Sequence, residues 1–585
     1  MLIRRLTIHN FRGIRHASIH FTGHTLLLGP NNVGKSTVLE ALDLLLGPER
    51  LSRGGAIEEH DFFNGIYRND NGTLIELRLE AVLTDLGPDA CRAFRPHLEW
   101  WDRSSSELAH SASRLNDDQC EPALRVGFKA IYDPDEDEFR CSSFFCHPPT
   151  SEDEEPPPFT KTDKRLCGFL YLRGLRTGNR ALSLEKGTLL DIVLQLEEVQ
   201  AAGMWEDILT KLRSAGQAVN DHAHLSNILS QIENRVHQYI PLTSGPRATS
   251  FHITNLTRNE LRRVVSLFLA CQPSEAAVPF QQSGSGTLNV LVLAMLSFIA
   301  DLKQKFIFAM EEPETALPPY TQRRIVDRLR AAAQQCFVTS HSPYIAERFL
   351  PDELCVLRRD KTQKLTSTTV TLGESIKQKM FRRDFRTRFA EGMLSQAVLL
   401  VEGVTEREAI PVASERLSQN DQRYSALDVC GVTVIDAGGE GSVESLGSFY
   451  RSLGLRTYAF IDRQSSNDTL CKITAACDYV YEHSYSGFES LLTNTLPTTL
   501  LCQFLQHVRS WSTFPSIGPI PTENADANII RKYVFRVLTS RKGDGYAAEL
   551  VSMCPAAALP TELTSFLRKI ADDLQPTGVT TGSLS

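Results

Sequence analysis

Three groups of residues along the chain have types and spacings that could do chemistry. The first is Gly29-Pro30-Asn31-Asn32-Val33-Gly34-Lys35-Ser36-Thr37. A glycine, four variable residues and then Gly-Lys-Ser is a phosphate-cradling pattern: backbone amides close on phosphate oxygens, the lysine neutralises β/γ charge, and the serine hydroxyl holds Mg²⁺. Gly29, Asn31, Asn32, Gly34, Lys35, Ser36 and Thr37 are therefore expected to bind ATP, with Ser36 on its metal. The second group is Glu311-Glu312-Pro313-Glu314, at the end of the apolar run Phe306 to Met310. Adjacent carboxylates delivered by a buried strand are what a phosphate loop lacks. Glu311 would hold Mg²⁺ through water, and Glu312 would orient or deprotonate the attacking water. In the third group, the apolar runs Ala397–Val401, Val432–Ile435 and Thr457–Ile461 end at Glu402, Asp436 and Asp462, with Glu406 just beyond the first. The C-terminal ends of parallel strands lie together, so such acids can share one metal site. Carboxylates without Cys or His partners suit Mg²⁺ or Mn²⁺.

The elements that must position these groups are also readable. His24–Leu28 is a short buried strand, and Val38, Leu39, Leu42, Leu45 and Leu46 recur at helical spacing after Ser36. The loop thus lies between strand and helix, with phosphate at a helix N-terminus. Ser283, Gly284, Ser285 and Gly286 open a predicted apolar helix over 288–300, where small residues suit an anion. Gln335–Thr339 is a strand leading to His341, which could sense the γ-phosphate. Stretch 2–8 alternates as a strand with 16–21 as its hairpin partner, and stretches 74–83, 123–132 and 139–145 alternate as strands and predict an antiparallel sheet near the first lobe. The acidic runs 133–138 and 151–155 read as solvated loops. Leu225, Ile228, Leu229, Ile232 and Val236 form a helical stripe. It is either intramolecular core or, lying between two halves of an ATPase, a dimerisation surface. Lys377, Lys379, Arg382, Arg383, Arg386 and Arg388 read as a solvated helix, or as a contact to a phosphate backbone.

A chain of 585 residues should hold about three or four domains. The formal charge of -8 shows no global basic field, which still allows positive charge confined to a groove. Thirteen cysteines without paired CxxC spacing read as free cytosolic thiols. The N-terminus turns polar too early for a signal peptide, and the longest apolar stretch is too short to span a bilayer. A soluble, cytoplasmic protein without a membrane partner is expected. No Ser, Cys or Tyr stands in a recognisable nucleophile setting, which favours direct hydrolysis at the third group.

Asn10-Phe11-Arg12, the phosphate loop, Ser283 to Gly286, Glu311-Glu312-Pro313 and Ser340-His341-Ser342-Pro343 together resemble the ATP-binding-cassette heads of the SMC and RecF type. That resemblance implies ATP sandwiched between two heads, with Ser283, Gly284 and Gly286 capping the partner's nucleotide and Glu312 and His341 acting at the γ-phosphate. The signature departs from the usual Leu-Ser-Gly-Gly-Gln. The strand-end carboxylates resemble a Toprim domain, and a cassette ATPase followed by Toprim is the layout of the OLD (overcoming lysogenization defect) nucleases. This implies an α/β multidomain chain: N-terminal ATPase lobe 1–185, helical insert 186–245, C-terminal ATPase lobe 246–375 and Toprim domain 376–585. It further implies metal ligands at Glu402, Glu406, Asp462 and Glu489, and a late basic residue at Lys542. The implied cofactors are ATP and Mg²⁺, with Mn²⁺ or Ca²⁺ as alternatives at the second site. The implied partners are DNA, a second copy or larger homo-oligomer, and for some relatives a separate superfamily-one helicase. The implied activity is ATP-regulated DNA cleavage in defence against phage. Where the family has Asp-x-Asp, this chain reads Asp462-Arg463-Gln464, which weakens a second metal. A degenerate Toprim domain on a nucleotide-switched DNA-binding protein, or an SMC/RecF-like repair ATPase, are the rival readings.

Overall fold

The computed structural model describes residues 1–48, 57–109, 119–149, 154–172, 188–196, 201–220, 223–236, 238, 257–270, 277–282, 306–315, 317–360, 364–373, 376–464, 466–522 and 525–574, with a few single positions between 284 and 298. Ser283 and Gly286, most of the expected helix 288–300, and the acidic stretch 151–153 lie outside the described residues. By internal contact the chain forms two units. One comprises Met1–Leu2, Leu46–Gly54 and Thr160–Cys336; the other comprises Ile3–Leu45, Gly55–Phe159 and Phe337–Ser585.

The described strands are, in chain order, β1 (Leu2–Phe11), β2 (Ile14–His20), β3 (Thr25–Leu28), β4 (Leu77–Thr84), β5 (Leu98–Asp102), β6 (Glu107–Leu108), β7 (Cys120–Asp133), β8 (Glu138–Phe145), β9 (Phe169–Leu172), β10 (Phe268–Leu269), β11 (Val278–Pro279), β12 (Ile307–Glu311), β13 (Gln335–Thr339), β14 (Leu354–Arg359), β15 (Leu365–Thr369), β16 (Ala397–Val401), β17 (Val432–Asp436), β18 (Arg456–Ile461) and β19 (Tyr479–Glu482).

The second unit holds the expected antiparallel sheet, in the order β2-β1-β4-β7-β5-β6 with β8 on β7. In β1, Ile3, Leu6, Ile8 and Phe11 are buried, so the expected alternation holds only from Leu6 to Ile8. The acidic run at the β7–β8 turn is only partly a solvated loop. Asp133 is buried, pairs with Arg140 and accepts the Asp135 N–H at 3.0 Å. Beside this sheet β3 lies between β13 and β14, parallel to both, and β15 closes β14 antiparallel. The third sheet, β17-β16-β18-β19, is wholly parallel. Every residue of β16 is buried, as in a sheet covered on both faces. Its core runs from Leu399 and Phe460 into the C-terminal helices through Phe488, Leu501, Val534 and Phe566.

The basic segment is helical and Lys377, Lys379, Arg382, Arg383 and Arg386 are exposed, as a solvated helix would have them, but its other face is buried. A helix Gln378–Arg383 passes into a π-helix Phe385–Ala390, and Phe381, Phe385 and Phe389 are buried, packing with Phe449. Arg386 bonds Glu347 at 3.1 Å and covers the Tyr344 ring, while Arg382 and Arg383 remain exposed.

In the first unit β9 and β12 pair in parallel. Helix Ala201–Asn220 is followed by helix Ala223–Val236, which carries the expected stripe, and the stripe divides: Leu229 is buried, whereas Ile228 and Ile232 are 48% and 42% exposed. Trp205 packs with Leu209 and Leu261 beneath the Arg262 guanidinium, which bonds Asp191 at 2.6 Å.

Candidate active sites and their carboxylates

In the second unit β3 delivers the chain into the phosphate loop, and the helix Lys35–Leu46 leaves it. Gly29 has φ +144°, and a Cβ there would stand 2.6 Å from the Leu357 carbonyl oxygen, so only glycine passes. Gly34, at φ +118°, lies against Ile14. Lys35 Nζ donates to the carbonyls of Gly29 and Pro30, at 2.9 and 3.0 Å, curling the loop into a ring around the ammonium. Such a glycine-walled cradle at a helix N-terminus fits a nucleotide's phosphates. The register Thr339↔Leu27 brings the C-terminal end of β13, and with it His341, alongside the start of the loop.

Arg359 at the end of β14 donates to the Val33 carbonyl at 3.2 Å and the Asn32 carbonyl at 3.4 Å. Its neighbour Arg358 is buried and donates to the Ser395 and Met393 carbonyls, the latter at 3.0 Å, just ahead of β16. Burial pulls the Arg358 guanidinium down to about 10. Sequence reading missed this pair, because adjacent arginines acquire a role only through strand register.

Glu311 and Glu312 belong to the first unit. Glu311 ends β12 and accepts the Tyr171 hydroxyl at 2.6 Å, from the strand alongside. Glu312 has φ +40°, and its carbonyl accepts the Thr315 amide and hydroxyl in a turn that aims the chain away from the strand. Of the signature segment, Gly284 is the described site residue, with open space where a Cβ would stand.

The third group converges at the C-terminal edge of the parallel sheet. Glu402 follows β16, and its Oε1 accepts the Asp462 amide at 3.2 Å and the Gln464 side-chain amide at 2.7 Å. Glu406 lies in the first turn of the helix Val404–Asn420, and Glu489 in that of Phe488–Thr495; both are buried. Glu489 Oε1 accepts the Thr405 hydroxyl at 2.9 Å and pairs with Lys542 Nζ at 2.8 Å. Burial pushes the Glu406 carboxyl up to about 8; Asp462 and Glu489 add to the rise, while its own backbone N–H and Lys542 oppose it. Burial alone would lower the Lys542 ammonium, but Glu489, Glu406 and Asp462 outweigh it and raise it.

His483, at the end of β19, is a partner the sequence reading did not single out. Its Nδ1 accepts the Tyr485 N–H at 3.2 Å, so the neutral ring carries its proton on Nε2 and donates to Asp462 Oδ1 at 2.8 Å. Asp436 accepts the Gly438 N–H at 2.7 Å and serves its own turn. Among the described residues no three His, Cys, Asp or Glu side chains already stand as a closed metal-ligand set. The amide, imidazole and ammonium partners just named hold the carboxylates. Hard oxygen donors that repel one another, with one carboxyl driven towards its neutral form, fit a divalent cation.

Comparison with known proteins agrees with this geometry. A family described as "AAA domain, putative AbiEii toxin, Type IV TA system" matches residues 25–347, and one described as "Overcoming lysogenization defect protein-like, TOPRIM domain" matches residues 393–463. The chain belongs to the first of these families, whose match spans more than half of it, and carries an OLD-like TOPRIM domain. It joins an AAA-type ATPase domain to that TOPRIM domain in an α/β multidomain fold. It is 22% identical over 474 residues to the OLD nuclease of Thermus scotoductus, covering 78% of this chain and 80% of that one. It is 23% identical over 547 residues to the uncharacterized protein YbjD of Escherichia coli, covering 92% of each. Among solved structures, the C-terminal region of the Burkholderia pseudomallei OLD protein aligns at 16% identity with a TM-score of 0.24, covering 31% of this chain and 98% of that one. Among the described residues no helix is long and apolar enough to cross a membrane.

Proposed function

We propose that this protein is an ATP-regulated, divalent-metal-dependent DNA endonuclease acting in defence against phage. The observation that carries the reading is the gathering of Glu402, Glu406, Asp462 and Glu489 with Lys542 at one sheet edge. The name of the Thermus relative, OLD nuclease, supports it. Glu402, Glu406, Asp462 and Glu489 would hold Mg²⁺ or Mn²⁺, with Ca²⁺ as a further candidate. When bound, the ion supplies water activation and charge neutralisation on the scissile phosphate. Asp462 is held by His483, and Glu402 by the Asp462 amide and Gln464, so both carboxylates keep fixed directions. Lys542 stabilises charge on the phosphoryl oxygens as water adds to phosphorus and the ester oxygen leaves.

In the ATPase, Gly29 to Thr37 and Glu311 would bind ATP–Mg²⁺, Glu312 would orient the attacking water, and His341 would sense the γ-phosphate. Ser283, Gly284 and Gly286 would cap the nucleotide of a second copy, and the exposed Ile228 and Ile232 support pairing of protomers. We place the TOPRIM domain at 376–585, behind ATPase lobes 1–185 and 246–375 and the insert 186–245. Gln464, a neutral residue in the metal site, favours one second reading: a nucleotide-switched DNA-binding protein that does not cleave.

Supercoiled plasmid with Mg²⁺ or Mn²⁺ separates the two. The nuclease nicks it, Glu402→Gln abolishes nicking, and Lys35→Ala abolishes ATP turnover while nicking without ATP persists. An intact plasmid with every metal tried would establish the second reading.

A further inference from the structure

Gln464 is built into the carboxylate site as a hydrogen-bond donor. Its side-chain nitrogen lies 2.7 Å from Glu402 Oε1 and 2.9 Å from the Asp462 carbonyl oxygen. Both neighbours are acceptors only, so the amide can be turned just one way: nitrogen inward, with Oε1 directed elsewhere. Oε1 is indeed buried with no hydrogen-bond partner, an orphan the opposite flip would exchange for oxygen-on-carboxylate repulsion. The backbone holds the amide in register, because the Gln464 N–H donates to Glu482 Oε1 at 2.6 Å.

We propose that Gln464 makes this a one-cation site, its amide hydrogens occupying the flank of Glu402 where a second divalent ion would need a carboxylate. The inference rests on the nuclease reading and specifies how its metal site is loaded. A second Mg²⁺ or Mn²⁺ on that flank would face the positive end of an amide dipole while sharing Glu402 and Asp462 with the first ion. Hard cations need several oxygen ligands, and one oxygen of each further carboxylate nearby already accepts a backbone hydrogen bond. Glu482 accepts the Gln464 backbone N–H, and Asp436, across β16 from Asp462, accepts the Gly438 N–H. Gln464 is thus a positioning residue: it acts on the cation through the direction it gives Glu402.

Mn²⁺ binding to the nucleotide-free full chain, by titration calorimetry and by counting free Mn²⁺ in electron paramagnetic resonance, tests this without reading activity. Wild type should bind one Mn²⁺ per chain that Asp462→Asn removes. Gln464→Asp and the isosteric Gln464→Glu should each gain a second. Gln464→Ala should keep one ion but bind it about 10–100-fold more weakly, because Glu402 loses its tether. Two ions of similar affinity in wild type, or no gain in both acidic variants, would overturn the inference. If Asp462→Asn removes no ion from wild type, the nuclease reading falls, and this inference with it.

Discussion

Glu406 links metal, pH and stability in a way that can be measured without any substrate. Its carboxyl is pushed from an ordinary 4.5 to about 8, chiefly by burial. A raised carboxyl means the fold prefers the neutral form. The stability this group contributes is fully present below pH 4.5 and is lost as pH rises through about 8. A shift of that size corresponds to about 3–5 kcal/mol, an upper range because structural relaxation and water entry relieve part of it. Glu406→Gln keeps the shape and an acceptor oxygen but cannot ionise. The variant should therefore match wild type near pH 5 and exceed its stability at pH 8.5, by on the order of 10 °C in the transition of the unit that contains Glu406. Saturating Mg²⁺ should reverse the order at pH 8.5, since the cation stabilises the charged wild-type carboxylate and gains little from an amide. The assay is differential scanning calorimetry of both proteins across pH 5–9, with EDTA and with Mg²⁺. Parallel curves in EDTA, offset by a constant, would refute the burial argument. An equal Mg²⁺ shift in both proteins would refute the placement of a cation at Glu406.

Three further outcomes follow from the geometry. Arg358→Met fills the same buried space without donors to Met393 and Ser395; plasmid nicking without ATP should persist, while the effect of ATP on nicking should shrink by about 5–150-fold. Gly29→Ala forces a Cβ to 2.6 Å from the Leu357 carbonyl at φ +144°, so nucleotide binding followed by a fluorescent ATP analogue should be lost, with a stability cost of about 1–3 kcal/mol. His483→Phe removes the donor to Asp462 while keeping a ring beside Phe460; Mn²⁺ affinity should fall about 10–100-fold, whereas ATP turnover stays at the wild-type rate.

The phosphate loop and the strand-end acids were legible because their signals are local. A glycine-lysine spacing and an apolar run ending in a carboxylate each fit within ten residues, and a parallel sheet then brings Glu402 and Asp462 together without further information. Glu489 and Lys542 carry no such local mark; family resemblance alone pointed to them, and the structure pairs them at 2.8 Å. His483 was missed because its partner is set by the β18–β19 register, with Ile461 opposite Glu482. The solvated face of the basic segment was legible, and its buried face had a usable signal of its own. Phe381, Phe385 and Phe389 recur every four residues, an apolar helical face that outweighs the arginines between them.

The link between the phosphate loop and the segment ahead of β16 is also absent from any motif, and β14 supplies it. Successive residues of a strand point to opposite faces, so Arg358 and Arg359 reach in different directions from one rigid segment. Arg359 holds the carbonyls of Asn32 and Val33, the part of the loop that would have to adjust when phosphate arrives. Arg358 holds the carbonyls of Met393 and Ser395, and two residues after Ser395 the chain enters β16, which ends at Glu402. An apolar residue would pack at position 358 without the desolvation that pulls the guanidinium to about 10. A buried cation tying backbone carbonyls is therefore a poor device for stability alone. It suits a joint that must transmit a small displacement, because each lost bond leaves a buried carbonyl unsatisfied at about 1–3 kcal/mol. If nucleotide controls cleavage as proposed, this geometry predicts that the loop acts by shifting β14, and so the entry to β16, rather than by contributing any group to the carboxylate site.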